Sequence, residues 1–219
     1  MLPENVFENG VGHFWGLVDT RDYMRARISL FHYLKKIGTL DSIAEAVTHA
    51  QDMLRLCRSD NIGVRQMLPA LLLQLDQDQE CYDFIKWWFV EAEHQTYLED
   101  ESRYLTTRGA DVLENVDIFN TRFPDFDQLL AILLLKVKIL VDVRVLKRSR
   151  RRLANTVLPN ELGDKVQEHV VRSPLSTKFA NHDDHRLQEL EQRLTLQCQK
   201  LGGWTCIANF QCHNYIMHE

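Results

Sequence analysis

Glycine is scarce in this chain, with only nine among 219 residues. The sequence contains neither a G-x-x-x-x-G-K nor a G-x-G-x-x-G segment, so it offers no backbone loop that would cradle a phosphate group. It also lacks a G-x-S-x-G elbow, and neither Cys57 nor Cys81 has a histidine beside it in the sequence. The sequence therefore predicts no enzyme activity, no catalytic residue and no cofactor.

Long apolar runs are also missing. The longest run, residues 129–135, ends at Lys136 and is far shorter than the roughly 20 residues that a membrane-spanning helix needs. The first 16 residues contain Glu4 and Glu8 and no continuous apolar core, so no secretion signal is expected. We therefore expect an intracellular protein without a membrane partner.

The sequence also lacks closely spaced cysteine pairs. Its five cysteines lie at positions 57, 81, 198, 206 and 212. An odd number without a regular spacing indicates a reducing compartment. Near the C-terminus, Cys206, Cys212, His213 and His218 carry donor atoms that suit zinc, but no C-x2-C knuckle pre-sets tetrahedral ligation. The His-Asp-Asp-His segment at 182–185 is interpreted as part of a polar connection. No metal site is predicted.

An overall excess of positive charge is lacking, since 31 acidic residues outnumber 26 basic ones and give a net charge of -5. This balance disfavours nucleic acid as a partner. One local basic tract remains, formed by Lys147, Arg148, Arg150, Arg151 and Arg152. Its ordinary explanation is a set of cations that opposes the dipole at a helix C-terminus. The alternatives are a nuclear-localisation signal, a phosphate patch or a contact with acidic residues of the same chain.

Helical periodicity is what the chain has in abundance. In residues 41–90, apolar residues recur at steps of three and four and predict three consecutive helices joined by short turns. Asp60 and Asn61 are expected to cap the second helix, and Pro69 to kink it near residues 65–69 without ending it. An earlier helix is predicted from the N-cap Thr20 to Gly38, which would close it in a left-handed conformation.

Two apolar stretches allow more than one interpretation. In the second half of residues 129–146, apolar and polar residues alternate as they do in a strand. A strand there would lack partners, however, and Lys138 and Asp142 are spaced one helical turn apart, where opposite charges pair. We therefore predict a buried helix capped by Asp125 or Asp127. Trp87 and Trp88 either pack in the core or anchor a bound peptide, and packing is favoured.

The predicted organisation has four parts. Residues 1–19 form an irregular arm that docks through its aromatic residues, and 20–175 form a helical-repeat domain with an acidic loop at 91–126. A helix starting at Pro159 and Asn160 is expected to complete this domain. Residues 183–203 form an amphipathic helix, and 204–219 a poorly ordered, irregular tail. The acidic loop is expected to be solvated, with a contact surface for a basic partner as the alternative.

Two levels of resemblance support this organisation. Glu45-Ala46 and Glu80-Cys81 occupy equivalent places early in their helices, at about the period of a tetratricopeptide unit. The blocks RDYMRARISLFHYLKKIGT, DMLRLCRSDNIGVRQMLPALLLQLDQDQECYDFIKWW and LLAILLLKVKILVDVRVLK resemble a group of uncharacterised fungal proteins with tetratricopeptide-like helices, some of which carry MYND-type zinc fingers. This chain has no MYND pattern, so no zinc finger is implied. The tail from residue 204 departs from the resemblance, and a truncated or misspliced end is one interpretation of it.

The sequence thus predicts an all-α, tetratricopeptide-like stack of antiparallel helix pairs, about six or seven helices in all. The expected function is that of an intracellular protein–protein interaction scaffold, cytoplasmic or nuclear, which binds a protein or peptide partner. Its binding groove is predicted to include Tyr23, Arg27, Arg65 and Gln66. The alternative is a nuclear or nucleic-acid-associated regulatory factor that uses residues 144–152. The oligomeric state is left open.

Overall fold

The computed structural model describes residues 4–92, 96–98, 100–121, 125–153 and 171–216. Within these residues the regular structure is helical, apart from one isolated β-bridge between His13 and Cys57, and consecutive helices pack against each other. This confirms the predicted all-α stack. The chain divides into two compact units, Met1–Ala110 (unit 1) and Asp111–Glu219 (unit 2). No helix of the described residues is both long and apolar enough to cross a membrane.

Unit 1 begins with a short helix, after which four helices pack in chain order. The helices are α1 (Val6–Asn9), α2 (Arg21–Ile37), α3 (Leu40–Leu56), α4 (Val64–Gln74) and α5 (Asp78–Lys86). Their apolar stripes form the core, in which Phe31, Ala46, Leu54 and Ile85 are fully buried. Pro69 lies inside α4 without ending it, as predicted, because the leucine stripe that follows keeps the helix packed.

The N-terminal arm is tied to the end of α3 by backbone hydrogen bonds. The Phe14 amide donates to the Leu56 carbonyl at 3.1 Å, and the Arg58 amide donates to the Gly12 carbonyl at 3.1 Å. Gly12 has a φ of +89°, and a Cβ at this position would lie 2.9 Å from Cζ of Arg58. The arm can therefore pass this close to Arg58 only with glycine at position 12. Phe14 is completely buried, which fits the predicted docking through aromatic side chains.

Of the helix-end signals predicted in unit 1, Gly38 and Asp60 act as expected, whereas Thr20 and Asn61 do not cap a helix; Asn61 instead accepts from the Ser59 hydroxyl at 2.6 Å. Gly38 adopts the left-handed conformation after α2, and Thr39 caps α3 by accepting from the Ser42 amide at 3.2 Å. Thr20 occupies the N-cap position of α2 but does not cap it. Its buried hydroxyl instead donates to the carbonyls of Phe14 and Leu17, because the arm folds back over this helix start.

Asp60 caps α4 across a turn rather than from the adjacent position. Both of its carboxylate oxygens accept hydrogen bonds, from the Val64 amide at 2.9 Å and from the Arg65 amide at 2.8 Å. We expect Asp60→Ala to lower the free energy of unfolding by about 1–2 kcal/mol, because two amides at the helix start lose their acceptor. Urea denaturation measures this loss. Asp41→Ala, which removes an exposed acid from the first turn of α3, is the control, and an equal loss in both variants would contradict the capping role.

Unit 2 is built on two long helices, α6 (Phe126–Leu153) and α7 (Asp184–Ile216), preceded by a 3-10 turn at Val116–Phe119. The helical interpretation of 129–146 is therefore confirmed, and Asp125 is the residue that caps α6, accepting from the Gln128 amide at 3.1 Å. The side-chain pairs Lys136–Gln197 and Lys147–Gln188 run in opposite directions along the two helices, so the helices are antiparallel. A 3-10 helix, Pro174–Phe179, lies between them in sequence.

The C-terminal boundary differs from the prediction. An irregular tail was expected from residue 204, but α7 continues through Gly202 and Gly203 to Ile216. The physical reason is the buried stripe, since Leu201 is fully buried and Thr205 is buried one turn later. Burial of that stripe outweighs the roughly 1 kcal/mol that each glycine costs a helix. The helix predicted from Pro159 lies mostly outside the described residues, and Val171, where the described chain resumes, is not helical.

Candidate functional site

A cavity of about 280 Å³ opens in unit 1 between α3, α4, α5 and the segment 105–108. Its floor is apolar and buried, and its rim carries exposed polar and charged side chains. The floor consists of Leu68, Leu72, Phe84 and Trp87, whereas Gln51, Glu80 and Arg108 are exposed at the rim. An apolar floor beneath a charged rim suits a ligand whose apolar group is flanked by polar groups.

The wall of this cavity is fixed by the buried carboxylate of Asp83. Its oxygens accept from the Gly109 amide at 2.7 Å and from the Ala110 amide at 2.9 Å. Gln79 donates to the same carboxylate at 2.9 Å and to the Ala110 carbonyl at 3.0 Å. The segment before Ala110 is therefore held against α5.

Segment 105–108 is itself internally constrained. Leu105, which lines the cavity, has a φ of +50°, a conformation that is uncommon for a residue with a side chain. The guanidinium of Arg108 donates to the carbonyls of Leu105 and Thr107, both at 2.7 Å. Strained backbone of this kind is found at ligand sites more often than elsewhere, because the surrounding structure must hold it.

An aromatic cluster adjoins the cavity through Trp87. The ring centroid of Trp87 lies 5.0 Å from Trp88, 4.9 Å from Tyr97 and 5.2 Å from Tyr104. Burial raises the pKa of the Tyr104 hydroxyl far above its usual value. Trp87 is 1% exposed, so the packing interpretation of this tryptophan is confirmed, while Trp88 is half-buried.

The backbone under this cluster is a π-helical turn, Trp87–Glu91, in which the Ala92 amide donates to the Trp87 carbonyl. Turns of this kind are rare and often accompany functional sites. Sequence periodicity predicted a plain helix to Val90, so it missed the turn. Of the predicted acidic segment that follows, Glu93 and Glu99 lie outside the described residues, and Asp100 is exposed.

The four residues predicted to line a groove fall into two local environments. The guanidinium of Arg27 donates to the Tyr23 hydroxyl at 3.1 Å and pairs with Asp52 of α3. Burial opposes ionisation of Asp52, but hydrogen bonds from Arg27 and Arg55 outweigh it and hold the pKa of that carboxyl below its usual value. This network joins α2 to α3.

The other two predicted residues lie on α4. The guanidinium carbon of Arg65 lies 4.9 Å from the ring centroid of Trp88, within the range of a cation–π contact, and Gln66 is exposed. Neither pair lines the cavity described above. The cavity itself depends on residues that meet only in the folded chain.

The basic tract lies at the end of α6, in unit 2, and several of its cations are used within the chain. Lys147 donates to Glu191 of α7 at 2.6 Å, and Arg150 donates to the carbonyls of Ala180 and His182. Arg148, Arg151 and Arg152 are exposed. Among the residues with described side chains, no cluster of three or more potential metal ligands occurs; Cys212, His213 and His218 fall outside that set.

Comparisons of the chain with protein-family models, with curated proteins and with solved structures found no match. The class that the fold defines is an all-α protein of stacked helices, with a lined cavity in its first unit.

Proposed function

We propose that this chain is a non-catalytic, intracellular protein-interaction scaffold of the helical-repeat type, and that unit 1 binds a short peptide segment of a partner in its cavity. The observation that carries the proposal is the combination of a buried apolar floor with a charged rim. Stacked helices commonly present such concave surfaces to peptides.

The size of the cavity favours a peptide side chain as its occupant. At about 280 Å³ it lies just below the range of small-molecule pockets, which runs from roughly 300 to 1,000 Å³. A single apolar side chain suits such a space, in which the half-buried Leu105 and the edge of Phe84 offer apolar surface. Anchors of this kind dominate peptide recognition because they bury much surface at one point.

The rim specifies what should flank this anchor. Glu80 of α5 and Arg108 of segment 105–108 are both exposed at the rim, so the complementary peptide carries a basic and an acidic residue beside its apolar anchor. The groove residues predicted from the sequence, Tyr23, Arg27, Arg65 and Gln66, are proposed as a second contact region for a longer partner.

The test starts from a phage-displayed library of random peptides selected on the intact chain. We expect enriched peptides to share an apolar anchor flanked by opposite charges, and Glu80→Arg to weaken their binding about tenfold in fluorescence polarisation, because a like charge replaces the complementary one. Arg108→Glu should weaken the binding of peptides that carry the acidic residue by a similar factor.

Asp19→Arg is the matched control, since it reverses an exposed acid of unit 1 away from the cavity. Circular dichroism should show that all variants retain the helical spectrum. A selection that enriches no peptide, or enriched peptides that bind Glu80→Arg as tightly as the original chain, would refute the cavity as the binding site.

A further inference from the structure

The exposed stripe of α6 has an unusual composition. Between Asp127 and Arg148, the exposed positions follow one another at steps of three, four, three, four, three and four residues. They are Asp127, Leu130, Leu134, Val137, Val141, Arg144 and Arg148. An exposed helix face is normally polar throughout, but the four central positions of this stripe are apolar.

These four side chains dominate the exposed apolar surface of unit 2. They are between 37% and 52% exposed. Among the described residues of unit 2, Leu196 is the one exposed large hydrophobic residue that lies outside the stripe. A spacing of alternating three and four residues is the pattern with which one helix packs along another in a coiled coil. The stripe therefore has the geometry of an unused helix–helix seam.

We propose that α6 forms an antiparallel, two-fold symmetric helix pair with α6 of a second copy of this chain. The positions fit such a pairing, because a two-fold axis midway between residues 134 and 137 places Leu134 opposite Val137 of the other copy. The same axis places Leu130 opposite Val141, so every apolar position meets an apolar position.

The charges at the ends of the stripe select the antiparallel direction. Under the same two-fold axis, Asp127 lies opposite Arg144 of the other copy at each end of the seam. A parallel pair would instead place Asp127 beside Asp127 and Arg144 beside Arg144, which is repulsive. Arg144 also donates to Glu191 of its own chain at 3.0 Å, and its side chain remains 52% exposed.

The seam is short, so the dimer should be weak. Four half-exposed side chains from each copy offer less area than the roughly 1,200 Å² at which stable interfaces begin, so we expect a weak, transient dimer with a dissociation constant on the order of 100 µM. This inference concerns unit 2 and is independent of the peptide cavity proposed for unit 1.

Sedimentation velocity of the full chain, measured over a range of concentrations, tests the association. We expect a monomer–dimer equilibrium that Leu134→Lys weakens at least 30-fold, because a lysine in the seam faces apolar residues of the other copy. Leu196→Lys, which introduces the same change at an exposed leucine of α7 outside the stripe, should leave the equilibrium unchanged. Val141→Lys repeats the test if Leu134→Lys fails to fold by circular dichroism.

Disulfide trapping tests the direction of the pair. Leu130→Cys and Val141→Cys, which the two-fold axis places opposite each other but about 16 Å from their own counterparts along the helix, are introduced separately into chains in which Cys198, Cys206 and Cys212 are serine. The two chains are then equilibrated in a glutathione redox buffer. The antiparallel pair predicts cross-linking in the mixture and little in either chain alone. Cross-linking of each chain with itself would overturn the proposal, as would a chain that stays monomeric at about 1 mM or a dimer that Leu134→Lys leaves intact.

Discussion

Asp83→Ala is expected to lower the free energy of unfolding by about 3 kcal/mol. The substitution removes the acceptor of three hydrogen bonds, from the amides of Gly109 and Ala110 and from the side chain of Gln79. Hydrogen bonds to a charged group are worth more than neutral ones, and donors that lose a buried acceptor add a desolvation cost. Since Asp83 is only 5% exposed, water does not readily replace the carboxylate.

Urea denaturation followed by tryptophan fluorescence measures this effect, because Trp87 and Trp88 lie in the same unit. Glu80→Ala is the matched control: it removes an exposed carboxylate from the same helix, and we expect a change below about 0.5 kcal/mol. Faster hydrogen exchange at the amides of Gly109 and Ala110 should accompany the loss in Asp83→Ala. Identical urea midpoints for Asp83→Ala and Glu80→Ala would show that the carboxylate does not hold the cavity wall.

The contribution of Lys136 in unit 2 to the free energy of unfolding is expected to depend on pH. Its side chain is completely buried, and its ammonium group donates to the Val112 carbonyl and, at 2.8 Å, to Gln197 of α7. Burial, followed by the charge of the neighbouring Arg193, lowers the pKa of Lys136 to about 8. Because the ordinary lysine pKa is 10.5, the unfolded chain binds this proton more tightly than the folded chain does.

The sign follows from that difference in proton binding. Below a pH of about 8, Lys136 is charged in both states and its burial cost is fully present; as the pH rises toward about 10.5, the folded chain loses the proton first and the cost disappears. The contribution of Lys136 to the free energy of unfolding should therefore rise by about 2 kcal/mol between about pH 7 and pH 10.

Comparison with Lys136→Met isolates this contribution from groups that do not interact with Lys136. Burial raises the pKa of Cys198 and Lys136 lowers it, so Cys198 is replaced by serine in both chains. Denaturation followed by circular dichroism at several pH values should show the original chain gaining stability relative to Lys136→Met as the pH increases. Lys200→Met, at an exposed lysine of α7, controls for the loss of one positive charge. A stability difference between the original chain and Lys136→Met that stays constant with pH would contradict the assignment.

The sequence predicted those parts of the fold that depend on local periodicity. The helices around Ala46, Leu71 and Phe84 were predicted because apolar residues at steps of three and four define a buried face. The helix through Ile139 was predicted for a different reason, the lack of a strand partner. Gly202 and Gly203 misled the prediction, because glycine propensity is a local signal, whereas the burial of Leu201 and Thr205 depends on packing between helices.

The candidate site could not be predicted in the same way. Asp83 meets its backbone partners 26 and 27 residues later, and no periodicity connects them. The left-handed conformation of Leu105 carries no sequence signal either, because such a conformation is expected of glycine or asparagine. The sequence-based groove was assigned from the pattern of the repeat, whereas the cavity is formed by a segment that lies outside that pattern.

The π-helical turn at Trp87–Glu91 has a consequence for how this region tolerates changes in length. A turn of this type holds one residue more than the regular α-helix in the same space, so it accommodates an insertion without breaking the helix that precedes it. Loss of one residue here would return the turn to ordinary α-helical spacing and leave α5 in place. The turn is therefore the point at which a change of one residue in chain length leaves the packed face of α5 intact.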